Sequence, residues 1–320
     1  MDLAVTFLGT GGSVPSARRS TASVLVSRGG ERLLFDCGEG TQRQMQRSLG
    51  LVQVDEIYLT HFHADHVLGI PGLLKTYDLT DRQVPLKVYG PQGLTELFQV
   101  FSPLVGRLGF TLDLIELRPG EAVAHDGYEV DAFEASHRTA RAHGYALVEA
   151  ERPGRFDPGA AAAAGVPEGP AYAALQRGEA VEGESGTVTP EQVMGPSRQG
   201  RSIVVTGDTA PNPATVSAAA DADLLIHDAS FAEEEVQRAA ETGHSTIAQA
   251  AAVAAEAHVK LLALVHISSR YHVGKVIEEA KEVFEPTVAP KDFDQIELPF
   301  PERGEPKLIP NGARESNGIG

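Results

Sequence analysis

The sequence predicts an α+β fold in which two packed β-sheets are flanked by helices. Short apolar runs at hairpin spacing begin the chain, and later runs alternate with helix-like stretches, a mixture typical of such a fold. Polar side chains also follow several predicted strands directly, as they do at one edge of a sheet. The 320 residues can bury a large core as one domain, or as one domain with an insertion.

Apolar periodicity predicts the individual elements. The predicted strands lie near residues 3–8, 22–27, 32–36, 54–59, 86–90, 111–117, 128–134, 143–149, 202–206, 223–228 and 260–266. The predicted helices lie near residues 39–49, 67–79, 92–101, 214–220, 230–240, 245–257 and 272–284. Ser245 is a favourable N-cap for the alanine-rich helix that follows it.

Residues 151–200 interrupt this alternation, because they are rich in Gly, Pro and Ala and have little apolar periodicity. One interpretation is an unstructured linker. The other is an inserted unit with a function, since so long a structureless loop is unusual inside a compact domain. The core would then consist of residues 1–150 and 201–298. Residues 299–320 contain several prolines with polar residues between them and are predicted to form a loose C-terminal tail.

Composition favours a soluble cytoplasmic protein without a membrane segment. The first residues, Met1–Val5, contain no basic region before an apolar stretch, so they predict a first strand and not a signal peptide. No apolar run approaches the roughly 18 residues of a membrane span. Cys37 is the only cysteine, which excludes an intrachain disulfide and argues against a thiolate zinc site.

The formal net charge of −17 is unusual for a protein that would bind a polyanion. Acidic, lysine-poor chains are favoured in a high-salt cytoplasm, where screening weakens self-repulsion, and we take such an origin as a hypothesis. The charge is unevenly distributed. Residues 1–50 hold six Arg against four carboxylates, a local charge of +2, so a basic face beside a functional site remains possible.

The strongest chemical signal is the segment His61-Phe62-His63-Ala64-Asp65-His66, which places four potential metal ligands in six residues. It follows the apolar run 54–59 directly, so a strand end and a tight loop can direct these side chains towards one point. Imidazole and carboxylate ligands suit borderline divalent ions such as zinc.

Three more polar residues follow apolar runs in the same way. His137 comes after the run at 128–133, Asp208 after 202–207 and His266 after 261–265. Each alone could be a helix cap or a hydrogen-bonded core group. Together with the cluster at 61–66, they predict a metal site assembled at one edge of the sheets.

This set of residues resembles the metallo-β-lactamase superfamily, whose two metals are held by HxHxDH and a downstream His, Asp and His. Within it, the chain is most similar to the ribonuclease Z family, endonucleases that remove 3′ trailers from tRNA precursors. The stretches that carry this resemblance are Phe7–Gly11, Asp36–Gln42, Gly207–Thr209, Gly243–Thr246 and His266–Tyr271. The resemblance covers roughly residues 1–298 and implies a four-layer αββα sandwich, the metallo-β-lactamase fold.

The resemblance also implies a site with two zinc ions per subunit. One zinc would be held by His61, His63 and His137, and the other by Asp65, His66 and His266, with Asp208 bridging them. Two ions about 3.5–4 Å apart suit in-line attack on phosphorus.

The same family pattern implies catalytic roles for two residues. Asp65 would also accept the proton of the attacking water. His244 matches the family's general acid for the leaving ribose oxygen, assisted by Asp228 or another carboxylate nearby. Alternatively, His244 merely begins a helix.

The resemblance further implies contacts with precursor tRNA. The stretch from Gly169-Pro170 to Gly178 is similar to the family's exosite, an arm that protrudes and grips the tRNA elbow. Residues 151–200 nevertheless hold four Arg against seven carboxylates, where the family pattern is basic.

The loop Pro15–Ser20 resembles the family pattern P-x-K-x-R-N, although Ala17 and Ser20 replace its Lys and Asn. Arg18 and Arg19 would hold the RNA backbone or acceptor end, unless the loop is an ordinary basic turn. Family members are usually homodimers, which we expect here as well.

Two other functions remain open at this stage: a lactamase-fold hydrolase of small esters, and a catalytically inert RNA-binding relative. Such inert relatives typically lose metal ligands or the acid, whereas all seven candidate ligands and His244 are present. The remaining histidines have no comparable context and are expected at the surface or in the core. They are His125, His143, His227, His258 and His272.

Overall fold

The computed structural model describes residues 1–138 and 141–313, which form two compact units. The larger unit combines Met1–Val148 with the chain from Arg201 onward, and the smaller one is Glu149–Gly200. Among the described residues, none of the helices combines the length and the apolar sequence of a membrane span.

The bounds of the elements in the described residues are as follows. The strands are β1 (Leu3–Gly9), β2 (Ser23–Arg28), β3 (Glu31–Phe35), β4 (Glu56–Tyr58), β5 (Leu86–Gly90), β6 (Leu112–Glu116), β7 (Ala122–His125), β8 (Tyr128–Glu134), β9 (His143–Glu149), β10 (Val181–Gly183), β11 (Gly186–Val188), β12 (Ser202–Val205), β13 (Leu224–Asp228), β14 (Leu261–Val265), β15 (Thr287–Val288), β16 (Gln295–Glu297) and β17 (Lys307–Ile309). The helices are α1 (Thr41–Ser48), α2 (Ala64–Val67), α3 (Ile70–Leu79), α4 (Leu94–Val105), α5 (Pro158–Ala163), α6 (Pro170–Gln176), α7 (Pro190–Val193), α8 (Pro213–Ala218), α9 (Val236–Thr242), α10 (Ile247–Glu256) and α11 (Val273–Val283). Short 3₁₀ turns occupy Glu233–Glu235, Pro301–Arg303 and Asn311–Ala313.

The larger unit contains two mixed sheets. Among the described residues, the first has the order β17-β16-β1-β2-β3-β4-β5-β6 and the second the order β15-β14-β13-β12-β9-β8-β7. In the first sheet the strands from β3 to β6 run parallel, and in the second β12, β13, β14 and β15 do. Parallel neighbours end at the same edge, so residues that follow these strands are brought close together.

The alternation of apolar residues explains how the layers form. In β2, Val24 and Val26 join a core shared by both sheets, whereas Leu25 joins the core beneath α1, α3 and α4. In β13, Leu224 packs in the shared core and Leu225 packs against the side that carries α8, α10 and α11. Successive side chains of a strand point to opposite faces, so each sheet has an inner and an outer apolar face. The order helix, sheet, sheet, helix confirms the predicted αββα sandwich.

Most predicted elements of the larger unit occur within a few residues of their expected bounds. The predicted helix at 67–79 is instead split into α2 and α3. The prediction of Ser245 as a helix N-cap is wrong, because Thr246 is the N-cap and accepts a hydrogen bond from Gln249 N. Thr246 and Gln249 complete a reciprocal capping box, a stronger arrangement than a lone serine provides.

The prediction of a loose tail is wrong for part of residues 299–320. Strand β17 pairs antiparallel with β16, and β16 pairs with β1, so Lys307–Ile309 extends the first sheet. The short strands β16 and β17 have few residues over which alternation can be read, which explains why no strand is predicted there from the sequence. Residues 314–320 lie outside the described residues.

The smaller unit, Glu149–Gly200, is folded and not an unstructured linker. It contains α5, α6, the hairpin β10–β11 and α7. Its own small apolar core is formed by Ala161, Val166, Leu175, Val188 and Val193. Alanines and prolines supply much of its sequence, so its core has little of the periodicity that predicted the elements elsewhere.

Candidate active site

The candidate metal residues meet at one edge of the larger unit. His61 follows β4, His137 follows β8, Asp208 follows β12 and His266 follows β14. The structure therefore brings together all seven residues that the sequence indicated, although they are distant along the chain.

Three histidines and one carboxylate form the first half of the cluster. Nε2 of His61 lies 2.9 Å from Nδ1 of His63, and Nε2 of His137 lies 3.1 Å from the same atom. Oδ2 of Asp208 lies 3.6 Å from Nε2 of His61. Potential ligand atoms of all four residues lie within 4.8 Å of one another.

Asp208 also belongs to the second half of the cluster. Its Oδ1 lies 3.3 Å from Nε2 of His66 and 3.4 Å from Nε2 of His266. Nε2 of His266 is in turn 3.1 Å from Oδ2 of Asp65. Asp208 is thus shared between two groups of donors, the position that a bridging ligand would occupy.

Two buried atoms show that this donor set fits divalent cations. Nε2 of His66 and Oδ1 of Asp208 have no hydrogen-bond partner within the described chain, although both are buried. A buried polar atom without a partner is costly, so these atoms require a ligand. Imidazole nitrogens and carboxylate oxygens are donors that zinc accepts, and each half of the cluster supplies four.

Further polar groups fix the orientation of the histidine rings. Nδ1 of His66 lies 2.7 Å from Oδ2 of Asp36, and Nδ1 of His137 lies 2.7 Å from the carbonyl oxygen of Gly243. Nδ1 of His266 lies 2.7 Å from the hydroxyl of Ser230. Because Nδ1 of each ring is engaged in these contacts, Nε2 faces the cluster. Metal-binding histidines usually have such a partner, often a carboxylate or carbonyl, on their other ring nitrogen.

Close backbone packing supports this arrangement. Gly243 has a φ of +74°, and a Cβ there would lie 2.7 Å from the backbone nitrogen of Arg138, next to His137. A Cβ on Gly12 would lie 2.6 Å from Nδ1 of His266. Both positions therefore need glycine, which explains Gly243 at the start of the stretch Gly243–Thr246 and Gly12 directly after the stretch Phe7–Gly11.

Electrostatics favour the metal-binding forms of His61, Asp208 and Asp65. Burial, followed by the charge of His66, lowers the pKa of His61 well below its usual value. Burial alone would raise the pKa of Asp208, but the charges of His266 and His66 hold it well below its usual range. Asp65 behaves similarly, since the hydrogen bond with His266 and the charge of His66 outweigh burial and lower its pKa. The pKa values of His66 and His266 shift the other way from that of His61, because the charge of Asp208 outweighs burial and raises them. Neutral imidazole and ionised carboxylate are the forms that ligate metals.

His244 lies beside the cluster and is paired with a buried carboxylate. Its Nδ1 is 2.8 Å from Oδ2 of Asp228, which is fully buried and also accepts a 2.6 Å hydrogen bond from the hydroxyl of Ser230. Burial opposes protonation of His244, but the charge of Asp228 and this hydrogen bond outweigh it. They raise the pKa of His244 to about 9.

Two pockets flank the cluster. One, of about 340 Å³, is lined by Ser13, Phe231, His244, His266 and Arg270, among others. The other, of about 380 Å³, lies on the side of His137 and is lined in part by Arg118, Arg141 and His143. We call them the His244 pocket and the His143 pocket.

A comparison with known families agrees with this geometry. A family model for the metallo-beta-lactamase superfamily matches residues 17–265. Ribonuclease Z of Methanosarcina acetivorans is 47% identical over 302 residues, which are 93% of this chain and 99% of that protein. Ribonuclease Z of Natronomonas pharaonis is 50% identical over 308 residues, which are 94% of this chain and 100% of that protein. This chain belongs to the ribonuclease Z family.

A solved structure extends the comparison to the fold. The crystal structure of human tRNase Z, short form, superposes with a TM-score of 0.67 at 28% identity, covering 92% of this chain and 99% of that one. The metallo-β-lactamase fold predicted from the sequence is thereby confirmed, as is the resemblance to ribonuclease Z.

The structure separates the two arginines expected to contact RNA in this member of the ribonuclease Z family. Arg18 is exposed. Arg19 is only 8% exposed, and its guanidinium donates to Pro290 O at 2.9 Å and to the hydroxyl of Thr10. Arg19 therefore stabilises the fold beneath the loop and is far less accessible than Arg18, and its expected contact with the RNA backbone stays a prediction.

The two remaining residues expected to bind RNA lie in the smaller unit. Gly169 is exposed and adopts a φ of +113° just before α6, and Pro170 is the first residue of that helix. Proline suits this position because the first helical N–H needs no partner inside the helix. The pair therefore forms an exposed helix start on the surface of this unit.

Sequence reasoning missed roles for Asp36 and Ser230. Asp36 follows β3 as the ligands follow their strands, so the same strand-end pattern could have identified it. Asp36 also accepts a 2.8 Å hydrogen bond from Thr60 N, which links it to the start of the ligand loop. Ser230 gives no such signal, since a serine after a strand is common in turns.

Proposed function

We propose that this protein is a two-zinc endoribonuclease that removes 3′ trailers from tRNA precursors. Membership in the ribonuclease Z family makes it a metal-dependent endoribonuclease that processes tRNA 3′ ends. The products are a tRNA with a 3′-hydroxyl and a trailer with a 5′-phosphate. The observation that carries the finer proposal is the pair of complete donor sets that share Asp208.

The two donor sets assign a role to each ligand. His61, His63 and His137 would hold one zinc ion. Asp65, His66 and His266 would hold the other, and Asp208 would bridge the two ions. When bound, such a pair of ions activates a water for attack and neutralises charge that develops on the phosphate. The absence of cysteine from both donor sets leaves harder nitrogen and oxygen ligands, which suit zinc in a hydrolytic centre.

Asp65 is proposed to take the proton of the attacking water. Its Oδ2 accepts a 2.8 Å hydrogen bond from Ser13 N and faces Nε2 of His266, so the carboxylate is held in one orientation. Its lowered pKa keeps it ionised, the form that can accept a proton or bind a cation, but also makes it a weak base.

His244 is proposed to supply the proton that the leaving ribose 3′-oxygen requires. An alkoxide is a poor leaving group, so protonation in the transition state accelerates its departure. The pair with Asp228 keeps Nδ1 of His244 protonated and leaves Nε2 as the other donor. His244 lines the His244 pocket, which would accommodate the last nucleoside of the tRNA.

The remaining proposals concern the RNA and the assembly. Glu149–Gly200 would be the exosite that grips the tRNA elbow, with Gly169 and Pro170 on its binding surface. Its excess of carboxylates, eight against four Arg, predicts weaker electrostatic attraction than a basic arm would give. Arg18 would contact the RNA backbone near the site. We further propose a cytoplasmic homodimer in which the arm of one subunit serves the other subunit.

The decisive experiment is incubation of the purified protein with a 3′-extended tRNA precursor, with both new ends mapped. A single cut that leaves a 3′-hydroxyl on the tRNA and a 5′-phosphate on the trailer is expected, with about two zinc ions per chain by metal analysis. Intact precursor in the presence of a fully zinc-loaded protein would refute the proposed activity. Repeating the assay at low and high salt tests the effect of the acidic composition.

A further inference from the structure

The His143 pocket is not used by the mechanism above, although it begins at a proposed metal ligand. Its lining includes His137, Leu117, Pro119, Arg118, Arg141 and His143. Its volume of about 380 Å³ falls within the usual range for small-molecule sites, roughly 300–1,000 Å³. The pocket therefore has space for one nucleotide beside the reacting phosphate.

One histidine in this pocket lacks an internal role. His143 is 4% exposed, and its Nδ1 is buried without a hydrogen-bond partner in the described part of the chain. Its backbone N–H donates to Thr60 O at 2.8 Å, which ties the ring's position to the start of the ligand loop. A buried donor or acceptor without a partner is unusual and indicates a ligand that supplies the missing contact.

The charge of the pocket is opposite to that of the whole chain. Arg118 and Arg141 face one carboxylate among the lining residues, Glu134, whereas the chain as a whole carries −17. The guanidinium of Arg141 is held in place by a 3.0 Å hydrogen bond to Gln92 O. Arginine and histidine planes are surfaces on which unpaired bases stack, and arginine also binds phosphate.

The chemistry of cleavage determines whether this pocket binds the tRNA side or the trailer side of the reacting phosphate. The bond that breaks joins phosphorus to the ribose 3′-oxygen of the tRNA, and the electron pair leaves with that oxygen. His244 must therefore lie on the tRNA side, since it protonates the oxygen. The trailer keeps the phosphorus through its 5′-oxygen, so its first nucleoside extends towards the other pocket.

We propose that the His143 pocket binds the first nucleotide of the trailer, with His143 and Arg141 contacting its base and next phosphate. This inference rests on the proposed function, because it takes His244 as the acid. It adds a subsite that makes cleavage depend on the presence of a base immediately after the cut. Base stacking on protein side chains is worth roughly 1–3 kcal/mol, which corresponds to about 5- to 150-fold in rate or affinity.

The test compares three precursors: an unmodified one, one abasic at the first trailer position and one abasic at the last tRNA position. Each is cleaved by the wild type, Arg141→Ala, His143→Ala and the exposed control Arg107→Ala, and kcat/KM is measured. For the wild type and Arg107→Ala, the abasic trailer should lower kcat/KM about 5- to 150-fold. For the two pocket variants that penalty should shrink at least about threefold, since the contact is already lost.

The outcomes separate the subsite from the activity. The penalty for the abasic tRNA position should stay the same in all four proteins, because that nucleoside lies on the other side of the phosphate. Wild-type cleavage of the abasic trailer at the full rate, or an unchanged penalty in the Arg141→Ala protein, overturns the subsite. Failure of the wild type to cut the unmodified precursor overturns the proposed function instead. Arg141 is exposed, so its variant carries the test even if His143→Ala does not fold.

Discussion

Oδ2 of Asp228 lies 2.8 Å from Nδ1 of His244, and this pair directs the histidine towards the cluster of candidate metal ligands. Asp228 is fixed in turn by hydrogen bonds from Ser230 N and Thr209 N. The carboxylate therefore cannot rotate away, so His244 has a defined tautomer and a raised pKa. This relationship supports the proposed role of His244 as a proton donor over that of a histidine that only begins a helix, and it can be tested by varying the leaving group.

Replacing His244 by Ala should lower the single-turnover cleavage rate of a tRNA precursor by about 10²- to 10⁴-fold. The reason is that the ribose 3′-oxygen leaves poorly without a proton. The rate of bis(p-nitrophenyl) phosphate hydrolysis should fall far less, because nitrophenolate leaves without protonation. Zinc content should match that of the wild type, since His244 completes neither of the two proposed donor sets.

An equal fold-decrease in the cleavage rates of both substrates would show that His244 acts on something other than the leaving group. Asp228→Asn provides the matched test of the pair, because it keeps the shape and removes the charge. It should reduce precursor cleavage in the same substrate-dependent way, by a smaller factor than His244→Ala.

Asp36→Asn should weaken zinc binding by about 10- to 100-fold, because Asp36 orients the ring of His66 through a 2.7 Å contact. Asp36 has a φ of +56°, which asparagine tolerates, so the substitution adds little backbone strain. Competition with a chelator measures the affinity. Asp223→Asn, at a buried carboxylate near the start of β13, is the control and should retain the wild-type affinity.

The candidate site could be located from the sequence to a large extent. His61, His137, Asp208 and His266 each follow a strand, and the ends of strands from both sheets meet at this edge of the larger unit. What the sequence could not reveal was the second set of contacts. Ser230 and the carbonyl of Gly243 hold histidine rings, yet a turn serine and a backbone oxygen leave no pattern in a sequence.

The fold was predictable where strands were long and buried. Strands β5, β8 and β9 occur at their predicted bounds. The strands that were missed are short or partly exposed, such as β7, whose four residues alternate between exposed and half-buried. The burial of Arg19 could not be predicted from the sequence either. Its partner Pro290 lies far along the chain and contributes a backbone carbonyl, which any residue could provide.

Arg18 and Arg19 should respond oppositely to substitution by alanine. Arg19→Ala should lower the free energy of unfolding by about 2–3 kcal/mol, since it removes hydrogen bonds from a buried charged group. Arg18→Ala should change it by less than about 0.5 kcal/mol, as is usual for an exposed residue. It should instead raise KM for the precursor. Urea unfolding and steady-state kinetics measure the two effects, and a destabilised Arg18→Ala protein with unchanged KM would contradict this division.

Stability should fall at high pH because of Cys37. Burial raises the pKa of this thiol to about 12, well above its usual value of 9.0, despite the opposing hydrogen bond with Thr41. Between these two values the unfolded chain loses the proton and the folded chain keeps it. The stabilising contribution is therefore present below pH 9 and is lost as the pH rises towards 12.

This linkage predicts a loss of roughly 1 kcal/mol between pH 8 and pH 10, relative to a Cys37→Ala protein measured in parallel. The comparison cancels the titration of other groups, because both proteins share them. Parallel unfolding curves for the two proteins over this range would show that the thiol titrates normally.

Excision of the smaller unit should separate RNA binding from phosphodiester chemistry. The backbones of Arg152 and Arg198 exchange two hydrogen bonds, of 2.7 and 2.8 Å, so the chain can be rejoined there with a short turn in place of residues 153–197. This excision leaves every proposed zinc ligand and His244 in the chain. Turnover of bis(p-nitrophenyl) phosphate should therefore stay within about threefold of the wild type.

Cleavage of the tRNA precursor by the excised protein should fall by about two orders of magnitude or more in kcat/KM, with the loss mainly in KM. Such a loss is expected because binding energy from remote parts of a substrate supports its reaction. A precursor reduced to the acceptor stem and its trailer is the matched control, since it lacks the elbow that the arm would grip. Wild type and excised protein should cleave this short substrate at similar rates. A difference between them as large as that on full precursor would show that the smaller unit contributes to the chemistry and not to recognition of the elbow.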